Sequence, residues 1–124
     1  MASPFAALEG AVVGDSPAPE HYGDLVREQR ALAAGRAIVA LGDRAVVEVA
    51  GPERLSWLDS ITSQAVSRLD AGTSTELLIL DPNGRVEHAA SVFDDGATAW
   101  LIADVGDAAG LTAWLKRMVF RSQV

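Results

Sequence analysis

At 124 residues, 49% hydrophobic and 22% charged, the chain has the size and balance of one soluble domain, which excludes wholesale disorder. A formal net charge of −7 with a single lysine, Lys116, excludes a broad phosphate-tracking surface, so no direct nucleic-acid partner is expected. The absence of cysteine excludes a disulfide, a thiolate nucleophile and a Cys-based metal site, and two histidines, His21 and His88, are too few for a metal centre.

Residues 1–20 mix small apolar residues with Gly14, Asp15, Pro17 and Pro19 and keep no period, so they read as a loosely ordered leader ahead of an α+β domain over residues 21–124. No basic segment precedes the apolar residues, and no run approaches the roughly 18 apolar residues that span a bilayer. No membrane partner is therefore expected, and a cytoplasmic location follows by default.

Tyr22, Leu25, Val26, Gln29 and Leu32 recur at helical spacing, with Asp24 in the first turn and Gly35 as the stop, which predicts a surface helix over residues 22–34. Two β-like runs follow, residues 36–41 and 45–50, joined by Gly42, Asp43 and Arg44 in what reads as a hairpin. In the second run Val47 and Val49 alternate with Val46 and Glu48, as on a strand with one buried face.

Residues 51–66, GPERLSWLDSITSQAV, read as a short buried helix with a polar exit. Gly51 and Pro52 break the strand, Glu53 favours the positive end of the helix dipole, and Leu55, Leu58 and Ile61 share a face that Trp57 widens. Residues 75–80 form an apolar strand, Asp81-Pro82-Asn83-Gly84 a tight turn, residues 85–93 its antiparallel partner, Asp94-Asp95-Gly96 a second turn and residues 97–103 the third strand of a meander. Asp107 then caps a helix carrying Leu111, Trp114, Leu115 and Met118 on one face. Residues 120–124 are β-prone and read as a strand that continues past Val124. The fold class expected is α+β: hairpin, helix, three-stranded meander and helix on a mainly antiparallel sheet.

Chemistry is sparse. P-loop, Rossmann and nucleophile-elbow patterns are absent, and no catalytic residue is assigned. Asn83, Glu87 and His88 cluster at the meander's tight turn, where a carboxylate and an imidazole suit ligand contact or proton transfer, although turn chemistry and solvent-facing strand positions are the commoner reason for such residues there. Ser63 and Gln64 leave the central helix as a polar pair able to hydrogen-bond a planar heterocycle. Trp57, Trp100 and Trp114 read as core residues.

Four segments together resemble the N-terminal part of YgfZ-type folate-binding proteins, relatives of the glycine-cleavage T-protein (aminomethyltransferase): HYGDLVREQRAL over residues 21–32, VAGPERLSWLDSITSQAV over 49–66, LLILDPNGRVEHA over 77–89 and LKRMVFRSQV over 115–124. The resemblance implies a truncated fold of that type, a fragment of a longer protein built around a central folate site, with tetrahydrofolate as cofactor. It implies Asn83, Glu87, His88, Ser63 and Gln64 as residues lining that site, and iron–sulfur proteins or their assembly factors as partners, with an indirect effect on tRNA modification. The family's K-G-C-Y-x-G-Q-E motif is absent. Where T-proteins carry paired aspartates this chain has Glu87-His88-Ala89, and where they show Thr-Asn-Asp-Val it has Ser63-Gln64-Ala65-Val66. The resemblance thus implies folate binding without aminomethyl transfer. Two alternatives are an aminomethyltransferase of the glycine cleavage system and a non-catalytic interaction module that forms a homo-oligomer through an open sheet edge.

Overall fold

A turn of 3₁₀ helix at Pro4–Ala7 opens the computed structural model, which describes residues 3–124. Ser3 Oγ accepts from the Phe5 N–H at 3.2 Å, satisfying one of the free donors at its start. Two short antiparallel strands follow, β1 (Val12–Val13) and β2 (Pro19–His21), with Val12 opposite His21. Helix α1 (Leu25–Ala33) is capped by Asp24, whose Oδ1 accepts from the Arg27 N–H at 3.1 Å. Glu28 turns back to accept from the N–H groups of Tyr22 at 2.6 Å and Asp24 at 3.1 Å.

Gly35 ends α1 at φ +69°, the left-handed conformation a closing residue needs. Its N–H donates to Leu32 O at 3.0 Å and the Arg36 N–H to Ala31 O at 2.9 Å, the paired bonds of a Schellman stop. The run over 36–41, expected as the first arm of a hairpin, is not a strand: residues 36–40 are irregular and Ile38 is 89% exposed. The turn expected at Gly42-Asp43-Arg44 instead marks a division of the chain into two compact units, Met1–Arg44 and Ala45–Val124. Gly42 lies so close to Ala18 that a Cβ there would meet the Ala18 nitrogen at 2.6 Å, which ties the run's end to the first unit. β-propensity alone does not make a strand without a ladder partner.

In the second unit β3 (Arg44–Ala50), α2 (Arg54–Ile61), β4 (Ser74–Leu80), β5 (Val86–Asp94), β6 (Thr98–Asp104) and α3 (Ala108–Arg117) follow in order. The sheet runs β3-β6-β5-β4, with β4, β5 and β6 antiparallel as the meander requires, so β3 finds its neighbour in a strand far along the chain. The second unit is thus α+β, built on an antiparallel meander.

Strand alternation makes the sheet two-faced. Val49, Leu77, Ile79, Ala90, Val92, Ala99, Leu101 and Ala103 are buried on one side together with Trp57 and Leu58 of α2 and Leu111 and Leu115 of α3. Leu58 and Leu111 are fully buried, each contributing about 1.5–3 kcal/mol of hydrophobic free energy. Trp100, expected in the core, stands on the opposite face opposite Phe93, its Nε1–H donating to Asp95 Oδ2 at 3.0 Å.

The expected C-terminal strand does not form. Arg121 adopts φ +59° and residues 120–124 turn back onto the start of α2, where the Gln123 N–H donates to Glu53 Oε2 at 2.6 Å. That carboxylate therefore makes no cap bond to its own helix. Among the described residues no helix is long and apolar enough to cross a membrane, and no cluster of three or more His, Cys, Asp or Glu side chains could hold a metal ion.

Candidate functional site

The tight turn between β4 and β5 is built by Asp81. Its Oδ1 accepts from the N–H groups of Asn83 at 2.8 Å and Arg85 at 2.9 Å, and its own N–H donates to Arg85 O at 2.8 Å. Pro82 and Gly84 supply the bend, and β5 leaves the turn with alternating sides. Asn83 and Glu87 project into solvent. His88 lies on the helix-covered side opposite Ile79, its side chain only 11% exposed.

His88 Nδ1 lies 2.8 Å from Oδ1 of Asp107, the residue that precedes α3. A Cβ on Gly110 would stand 3.3 Å from His88 Cε1, so the first turn of α3 is bare where the imidazole tucks beneath it. A carboxylate accepting the Nδ1 proton holds the ring in one tautomer and leaves Nε2 as the lone-pair nitrogen, the arrangement that makes histidine a proton acceptor or a hydrogen-bond partner for a ligand N–H.

The polar exit of α2 comes close to the same pair of strands. The Ser63 N–H donates to Leu78 O at 2.9 Å, and in the β4–β5 ladder Leu78 faces Ala89 while Ile79 faces His88. The loop is closed by Asp59, whose Oδ1 accepts from Val66 N–H at 2.8 Å and Ser67 N–H at 3.1 Å, while Val66 is fully buried. Ser63 and Gln64 are exposed. The Ser63 bond also occupies part of the outer edge of β4, the kind of edge on which homo-oligomer formation was expected.

Of the five residues expected to line a site, His88 thus has a structured partner, Ser63 is anchored through its backbone one ladder position away, and Gln64, Asn83 and Glu87 are exposed without side-chain hydrogen bonds among the described residues. An apolar cleft of about 190 Å³ in this unit is built elsewhere, from residues that include Val47, Trp57, Leu115 and Val119. Asp107 escaped sequence reasoning because an aspartate before a helix reads as a cap; here its side chain makes no cap bond and serves His88 instead.

A second unforeseen pair is Arg54–Asp94, which joins α2 to the end of β5. Arg54 Nε lies 2.7 Å from Asp94 Oδ1 and Nη2 lies 2.9 Å from Oδ2, a bidentate fork with the carboxylate 2% exposed. Hydrogen bonding by Arg54, aided by the Gly96 N–H, holds Asp94 below the usual carboxylate range, and the same bond raises Arg54. In the adjoining turn Asp95 is lowered to about 2 by the Trp100 indole and the Thr98 and Ala97 N–H groups.

These elements, an antiparallel meander with two helices on one face and an exposed polar turn, define an α+β protein. The same fold occurs in the glycine cleavage system aminomethyltransferase T from Bartonella henselae, to which this chain is similar with a TM-score of 0.61 and 18% identity over 65% of its residues. The aligned part covers 23% of that protein's length. No family model matches the sequence, and no curated protein matches it.

Proposed function

We propose that this chain contributes one wall of a tetrahydrofolate site in a longer protein of the T-protein fold, with His88 and Asp107 as its polar anchor and Ser63, Gln64, Asn83 and Glu87 along its rim. The observation that carries the reading is the His88–Asp107 pair, whose histidine belongs to the Glu87-His88-Ala89 run that the resemblance aligns with the paired aspartates of T-proteins. The donor chemistry fits: a pterin edge presents N–H groups and ring nitrogens, which an oriented imidazole and a carboxylate can match. Bound folate supplies a one-carbon carrier; this chain's residues bind and orient it, His88 through Nε2.

Because Glu87-His88-Ala89 replaces the paired aspartates, the protein is read as binding folate without aminomethyl transfer. The role suggested by the resemblance is support of iron–sulfur protein assembly or repair in the cytoplasm. Titration of the full-length protein with tetrahydrofolate should give saturable heat, and His88→Ala should weaken binding roughly tenfold, the worth of one well-made buried hydrogen bond. No heat at high micromolar folate would remove the proposal. The fold shared with an aminomethyltransferase favours a second reading, transfer from an aminomethylated lipoyl carrier. Folate-dependent ammonia release in that assay would put the second reading first.

A further inference from the structure

We infer that the outer face of α1 is a binding site for a small multivalent oxyanion, gripped by Arg27, Arg30 and Arg36. Arg27, Arg30 and Arg36 line one open groove of about 640 Å³ together with Val26, Ala31 and Asp24. Arg27 and Arg30 stand three apart, on one helix face, and the Schellman stop at Gly35 returns the chain so that Arg36 joins them.

The grouping is not explained by local ion pairing. The two carboxylates of this segment are engaged with backbone: Asp24 Oδ1 accepts from the Arg27 N–H, and both Glu28 oxygens accept from the N–H groups of Tyr22 and Asp24. Positions four residues beyond Arg27 and Arg30 are Ala31 and Ala34, which offer no counter-charge. None of the three arginines has a partner among the described residues.

Nor does the helix dipole account for it. Arg30 and Arg36 suit the negative C-terminal end of α1, but Arg27 lies in the first turn, where a cation is disfavoured. Three arginines along one groove offer planar guanidinium forks that match the oxygens of a phosphate or carboxylate group, and a bound anion relieves their mutual repulsion. Asp24 leaves the groove a formal charge of +2, enough for a divalent or trivalent small anion. The chain's net charge of −7 opposes a long polyanion.

The test follows the arginine Nε–H resonances by NMR while sodium pyrophosphate, sodium citrate or sodium chloride at matched ionic strength is added. Saturable shifts of Arg27, Arg30 and Arg36 with pyrophosphate identify a phosphate-type ligand, and tighter saturation with citrate a polycarboxylate; either supports the site. Single Arg→Gln changes should weaken the tighter anion roughly tenfold each, and Arg85→Gln, in the tight turn of the second unit, should leave it unchanged. Responses identical to those in chloride, or affinity unaltered in Arg36→Gln, would overturn the inference. Arg36 lies outside the helix and is exposed, so that variant keeps the test valid even where the helical substitutions perturb folding.

Discussion

Asp107 Oδ1 lies 2.8 Å from His88 Nδ1, and the residue best placed to cap α3 gives its side chain to a strand instead of to the helix. The helix starts without a side-chain cap, and the imidazole acquires a defined orientation.

The pair predicts a tautomer. Long-range ¹H–¹⁵N spectra of the neutral ring should show the proton on Nδ1, and Asp107→Ala should shift the population toward the Nε2–H form that dominates free imidazole side chains. Because Asp107 caps no amide of α3, the same change should cost less than the roughly 1 kcal/mol typical of losing a helix cap. A urea midpoint that fell by more than that would show that the carboxylate serves the helix after all.

Arg54 and Asp94 join α2 to the sheet through a pair that is sensitive to loss of either partner. Asp94→Ala leaves a guanidinium 11% exposed with no carboxylate, and stability should fall by about 3–5 kcal/mol in chemical denaturation. The double replacement Arg54→Met with Asp94→Leu should recover more than half of that loss, since apolar isosteres remove both desolvation terms together.

The same turn sets an acid limit. Asp94 and Asp95 both have folded-state pKa values below the ordinary aspartate value near ~3.9. The unfolded chain therefore binds more protons as the pH drops, so their contribution is full above about pH 4 and fades toward about 2, the folded value of Asp95. Unfolding midpoints recorded from pH 5 down to pH 2 should fall steeply, and Asp95→Asn should flatten the profile.

Gly51 is held at φ +115°, and a Cβ there would collide with Gln123 O and lie 2.7 Å from Val124 Cα. Gly51→Ala should therefore destabilise the second unit by about 1–3 kcal/mol, from backbone strain and displacement of the C-terminal residues. Amide exchange should show the Gln123 N–H, bonded to Glu53 Oε2, losing protection first.

Leu58 and Ile38 separate core from surface among residues that look equally apolar in sequence. Leu58→Ala, at a fully buried position, should cost about 2–5 kcal/mol. Ile38→Ala, in the run that does not become a strand, should change stability by no more than about 0.5 kcal/mol. Thermal and urea unfolding of both variants checks the pair.

The meander, its two tight turns, α1 with its Gly35 stop, and the apolar faces of α2 and α3 were all legible in the sequence, because residues a few positions apart set them; that Asp24, read as part of the first turn, is the cap of α1 was not. Asp81 builds its turn from neighbours within four residues, and the alternation along β4 and β5 places Leu77, Ile79, Ala90 and Val92 on one side whatever lies above them. Tertiary structure alone decided the rest. The partner of β3 is β6, so the run over 36–41 stays unpaired; the residues at 120–124 close on Glu53; and Arg54 meets Asp94 from 40 residues away. His88 was visible as a candidate, yet its aspartate, 19 residues distant, became a partner only when β6 returned the chain beside β5 and set the start of α3 over the ring. Local patterns specify elements; which side chains meet across them depends on chain closure, for which one-dimensional spacing carries no signal.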